Sequence, residues 1–145
     1  MHKHLLKISD GYIQYTTADY RSGYERMKYL LSIGNERPTA VSCCDDAIDS
    51  YAVRARAAFD MGFNVPDDIS IIGFDNQSIL PDNYKGPGIT TVEQPFYDIG
   101  KDSIRILTAI LESDSPKEKI CKTYDTRIVV KDTVGVTRVN KDIAS

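Results

Sequence analysis

The sequence predicts an α/β fold, a parallel sheet with flanking helices, and three observations carry that prediction. Apolar runs of strand length, at 37–44 and 68–74, alternate with stretches whose apolar residues recur every three or four positions. The run DISIIGF is rich in isoleucine on both alternations, as in a strand covered on both faces. The connections are of helical crossover length, so successive strands pair in parallel through right-handed crossovers.

Taken in order, GYIQYTT (11–17) is rich in β-branched and aromatic residues and reads as the first strand. A helix follows, with Tyr20, Tyr24, Met27, Leu30 and Leu31 on one core face, Asp19 as N-cap and Gly34 as the stop. RPTAVSCC (37–44) is the second strand, with its proline at the start. In the next helix, Ile48, Tyr51, Ala52, Ala55, Ala58 and Phe59 form the stripe and Gly62 ends it. Residues 68–74 are the third strand. Residues 75–88, thick with Asn, Asp, Pro and Gly, read as a loop, and ITTVEQP as a short extended segment. A helix over 96–112 carries Phe96, Ile99, Ile104, Leu107, Ile110 and Leu111. A last strand falls within 123–131, ahead of a frayed tail.

At 145 residues the chain is the size of one ordinary domain. Apolar content of 41% and charged content of 27% are those of a globular protein and not of a disordered one. No segment approaches the roughly 20 apolar residues that span a bilayer, so no membrane association is expected. MHKHLLKISDGY has a basic start without an apolar core, which argues against a signal peptide and for a cytoplasmic protein. The formal charge of −3 argues against gripping nucleic acid through a bulk field. Cys43, Cys44 and Cys121 suit no disulfide framework and are expected as reduced, buried thiols. His2 and His4 are not spaced to complete a metal site, and no metal or other cofactor is expected.

In open parallel sheets, ligands bind beyond the carboxyl ends of the strands. Those ends are Thr16–Thr17, Cys44–Asp45–Asp46 and Asp75–Asn76–Gln77. Such a rim of carboxylates and amides suits a small polyhydroxylated or nitrogenous ligand. The competing structural roles are helix capping for Asp45 and Asp46 and a local turn bond for Asp75.

RPTAVSCCDDAIDSYAVRARAAFDMGFNVPDDISIIGFDN, followed by ITTVEQPFYDIGKDSIRILTAIL, closely resembles the LacI/GalR family of bacterial transcriptional regulators over about residues 17 to 131. The resemblance implies a periplasmic-binding-protein-like (type I) ligand domain of two α/β lobes joined by three crossovers, with the effector in the cleft between them. This chain would supply most of the C-terminal lobe, over 11–89 and 122–132. Residues 90–113 would be the last crossover and a helix of the other lobe. No first lobe, hinge or DNA-binding headpiece is recognisable in these residues. Carried over by position, the effector contacts are Asp45 (usually Asn in the family), Asp75 and Gln94. Ala18 and Ser42 stand where many members place aromatics, so stacking on a pyranose is not expected in its usual form.

By resemblance, the function is the effector-sensing and dimerising part of a transcriptional regulator, most simply a repressor, responding to a sugar or related metabolite. Operator DNA would be reached only through a headpiece outside this chain. The partner is a second copy, with the helix near 47–61 in the subunit contact. Two other classes stay open. One is a solute-binding protein of a sugar transport system. The other is a Mg²⁺-dependent receiver-like domain built on Asp45, Asp46 and Asp75, against which stands the lack of a lysine at a suitable later strand end. No enzymatic activity is expected. The apolar stripe of 96–112 is built to cover a sheet, and without the other lobe it is expected to pair with another copy.

Overall fold

The computed structural model describes residues 9, 11–17, 19–34, 37–44, 46, 48–77, 87–113 and 119–136, with the side chains of 48–53 excepted. Seven elements run in the order α1 (Tyr20–Leu31), β1 (Ala40–Ser42), α2 (Ile48–Asp60), β2 (Ser70–Phe74), β3 (Thr91–Glu93), α3 (Phe96–Glu112) and β4 (Arg127–Val129). The sheet has the order β1-β2-β3-β4. β1, β2 and β3 are parallel, with Val41 opposite Ile71 and Phe74 opposite Val92. β4 joins the far edge antiparallel, with Glu93 opposite Arg127, so the sheet is mixed where a parallel one was predicted.

The first predicted strand is absent: residues 11–17 form a turn and an irregular segment. Local bonds take the backbone there, Tyr12 N to Ser9 O and Asp19 N to Thr17 O, and Ile13 and Tyr15 are exposed. Strand propensity in such a segment reflects side chains that fit a half-buried pleat, and no pleat receives them here. Thr16 and Thr17 therefore sit at no strand end; the Thr17 hydroxyl donates to Asp19 beside the start of α1.

α1 begins where predicted. Asp19 is extended and its carboxylate accepts from Ser22 N at 2.8 Å, satisfying one of the free N–H groups of the first turn. Met27, Leu30 and Leu31 are buried, whereas Tyr20 is exposed and stacks on Tyr24. α2 ends on Gly62 at φ +82°. Phe63 N bonds to Ala58 O and Gly62 N to Phe59 O, the paired closure that a left-handed glycine permits. Among the described side chains of α2, Ala57 and Ala58 are buried and Ala55 packs against the core, so Ala55 and Ala58 of the predicted stripe face inward while Phe59 is left 71% exposed. Ile48, Tyr51 and Ala52 lie outside the described side chains.

The core joins α1 and α2 to one face of the sheet through Met27, Leu31, Cys43, Ala57, Ala58, Ile69, Ile71 and Ile89. Small alanines on α2 let the helix lie close to α1, and Tyr24 Oη ties the two by donating to Asp60 at 2.8 Å. Residues beyond β4 run back alongside β2. Ile71 N donates to Thr133 O, and the buried Thr133 hydroxyl returns a bond to Ile71 O at 2.7 Å.

α3 matches its predicted span, 96–112, but buries no residue. Asp102 on it is tied laterally by polar bonds, from Lys122 and the Tyr124 hydroxyl. Cys43 is buried as expected, whereas Cys44 and Cys121 are exposed, Cys121 within a segment 119–123 that is exposed throughout. No described helix is long and apolar enough to cross a membrane.

Candidate functional site

Because β1, β2 and β3 are parallel, their carboxyl ends share one edge of the sheet, and the polar residues that follow them are gathered there. β2 stops at Phe74, and Asp75 and Asn76 both take left-handed backbone conformations, at φ +91° and +51°. Asp and Asn tolerate such angles better than most residues, yet each departure costs roughly 1–3 kcal/mol and persists only where the surroundings impose it.

The surroundings are visible. Three consecutive N–H groups are each held by another strand or its extension: Asp75 N by Val92 O at 2.8 Å, Asn76 N by Thr91 Oγ1 at 3.3 Å, and Gln77 N by Asp46 Oδ2 at 3.2 Å. The Asn76 side-chain amide donates to Glu93 at 2.8 Å, and Lys131 Nζ lies 3.4 Å from its carbonyl oxygen. Turned sharply out of the strand in this way, the Asp75 carboxylate receives the Gln94 amide at 2.5 Å and, more weakly, that of Gln77 at 3.4 Å. Two of the three predicted contacts, Asp75 and Gln94, are thus brought together at the rim. Asp45 lies outside the described residues, as does Ala18.

Asp46 is only 4% exposed. Thr91 Oγ1 lies 2.7 and 2.9 Å from its two oxygens and donates to it. The space for the carboxylate is made by Gly73, where an added Cβ would come within 1.8 Å of Asp46 Oδ1. A glycine inside a strand often marks such a close approach, and this one was a signal available in the sequence. Asn76 was placed on the rim from the sequence, whereas Thr91, Glu93 and Arg127 were not singled out. Their meeting depends on the β2–β3 and β3–β4 registers, which no single segment encodes.

The electrostatics of the rim are mixed. The Arg127 guanidinium, then the Asn76 amide, hold the Glu93 carboxyl below its usual range. The edge therefore offers carboxylate acceptors at Asp75 and Glu93, amides at Asn76, Gln77 and Gln94, and a cation at Arg127. That set can pair with hydroxyls and ring nitrogens of a small polar molecule.

The comparisons agree with this architecture. The family model of the periplasmic binding protein-like domain matches residues 1–134. The chain is 36% identical over 115 residues to catabolite control protein A of Priestia megaterium, covering 79% of this chain and 33% of that protein. It is 35% identical over 133 residues to the "Probable HTH-type transcriptional repressor ExuR" of Bacillus subtilis (strain 168), covering 91% and 38%. Among solved structures, a regulatory protein of the LacI family from Chloroflexus aggregans superposes with a TM-score of 0.75 at 26% identity, over 93% of this chain and 47% of that one. The chain spans about a third of the length of the curated relatives it matches. With its fold, its rim and these relatives in agreement, the chain belongs to the periplasmic binding protein-like domain family, in the form carried by LacI-family transcriptional regulators.

Proposed function

We propose that this chain is the effector-sensing and dimerising part of a cytoplasmic transcriptional regulator, a repressor that answers to a sugar-like metabolite and is not an enzyme. The observation that carries the reading is the juxtaposition of Asp75 and Gln94 at the carboxyl edge of three parallel strands, 2.5 Å apart. A carboxylate held in place by an amide keeps lone pairs to accept from a ligand hydroxyl, and such charge-assisted bonds are stronger than neutral ones. Asp45, by position in the family, is a third contact on the same rim. Residues 11–89 and 122–132 form the C-terminal lobe in this reading. Residues 90–113 pass from the sheet into a helix of the other lobe, and the absence of any buried residue in α3 supports that division. A homodimer is formed through α2, on which Phe59 is exposed.

Asp46 argues for a regulator over a phosphoacceptor site, because it is buried with its oxygens on Thr91 and the Gln77 amide. The test is Asp75→Ala in the intact regulator, screened by thermal shift against sugars, sugar phosphates and purines. The variant is expected to lose the response to the compound that stabilises the native protein, while its own melting temperature stays within a few degrees. A general loss of folding would make Asp75 a turn residue instead. A native-sized response would remove it from the site.

A further inference from the structure

The Asp75–Gln77 turn has more restraint than a strand end needs, and the restraint leads inward to one buried group. Asn76 N donates to Thr91 Oγ1, Thr91 Oγ1 donates to Asp46, and Asp46 also accepts from Gln77 N. One carboxylate, buried beside Gly73, thereby links the end of β1 to β3 and to the residues following β2. Asp46 itself does not reach Asp75. What it fixes is the backbone on the far side of Asp75, while Val92 O fixes the near side.

We propose that Asp46 and Thr91 are positioning residues. Together they form a buried latch that holds the left-handed Asp75–Asn76 backbone in place and so aims the Asp75 carboxylate at the rim. Without the latch, residues 75–76 have an ordinary extended conformation open to them. Since side chains alternate along an extended strand, that conformation would carry Asp75 to a different face and away from Gln94. The inference rests on the reading of Asp75 as an effector contact, but its physical content is independent of any ligand.

The experiment is amide hydrogen exchange on the unliganded chain, comparing Thr91→Val, Thr91→Ser and Asp46→Asn. Thr91→Val removes the hydroxyl at nearly constant volume. The Asn76 amide should then lose protection by roughly tenfold, the loss of about one hydrogen bond, and Thr91→Ser should restore it. Asp46→Asn keeps an oxygen for Thr91 but can turn an NH₂ towards Gln77 N, so the Gln77 amide is the one that loses protection. In each variant the Ile71 and Gly73 amides, bonded to Thr133 O and Thr90 O, should keep theirs. Unchanged exchange at Asn76 and Gln77 overturns the proposal. So does a uniform fall across β2, which would make the pair a core strut without local effect, and so does failure of Thr91→Ser to restore protection. If Thr91→Val does not fold, the Gln77 amide of Asp46→Asn, set against Ile71 and Gly73, still separates a local loss from no change and from a uniform fall across β2. A failed effector assignment at Asp75 would leave every one of these exchange results standing.

Discussion

α2 and α3 are both regular amphipathic helices in one chain, yet they stand in opposite situations. α2 has modest apolar residues, but Ala57 and Ala58 are wholly buried against α1 and the sheet. α3 is longer and carries the larger apolar side chains, but none of its residues is buried, and Ile104 and Leu111 are 65% and 71% exposed. Amphipathic pattern specifies that a helix has a face to cover; topology decides whether the chain itself supplies the cover. In α2 the neighbours in sequence are neighbours in space. After β3 the chain leaves the sheet through Gln94 and Pro95 and returns only at β4.

The contrast breaks most sharply at the core. Ile71, in β2, is fully buried, so Ile71→Ala removes three carbons from a packed environment and leaves a cavity. A loss of about 2–5 kcal/mol is expected in urea unfolding, which for a single small domain is a large part of its total stability. A loss below about 1 kcal/mol would mean that the sheet and its two helices are not a single cooperative unit.

Acid sharpens the comparison, because α2 and α3 each carry an aspartate tied to a cation. Arg56, then the Tyr24 hydroxyl, hold Asp60 below its ordinary 3.8. On α3, Lys122, then Tyr124, do the same for Asp102. A depressed native pKa means that the unfolded chain takes up its proton first. The stabilisation is therefore complete above about pH 3.8 and is lost as pH falls through the lower native value. Asp60→Asn should lower the urea midpoint at pH 7, and its difference from the wild type should shrink as pH falls below 3.8 towards the depressed native value. Asp102→Asn should leave the midpoint of the sheet unfolding unchanged at both values, because its partners lie at 122 and 124 and tie only α3. An equal response to the two substitutions would couple α3 to the packed half.

The same division explains what could be read beforehand. The span of α3 was legible in full, since Pro95 and an unbroken stripe mark it locally. The strand ends that place Asp75 and Gln94 were legible too, from short apolar runs meeting polar residues. The strand assigned to 11–17 failed because β propensity carries no information about a partner. Phe59 was assigned inward with Ala55 and Ala58, which do face the core, because the period alone does not mark where the buried face ends, and Phe59 lies beyond its edge. The Asp46–Thr91–Asn76 chain was hidden for a related reason: its members are 15 to 45 residues apart, and only the strand register brings them together.

The smallest effect is the most informative about α3. Leu107 and Leu111 are largely in water in the single chain, so truncating them removes little buried area. Leu→Ala in an exposed helix is nearly neutral in intrinsic propensity as well. Leu107→Ala and Leu111→Ala should therefore shift stability by no more than about 0.5 kcal/mol in dilute solution. The stripe that includes Phe96, Ile104, Leu107 and Leu111 is nevertheless a contiguous apolar surface, of the kind that finds a partner as concentration rises. If the partner is a second copy, the wild-type unfolding midpoint climbs with protein concentration and that of Leu111→Ala climbs less. Urea unfolding at two concentrations about a hundredfold apart, with sedimentation of the same samples, separates the cases. A wild-type chain that sediments as a monomer and unfolds at the same midpoint at both concentrations would rule out self-association through α3. The cover for the stripe would then have to come from something other than a second copy of this chain.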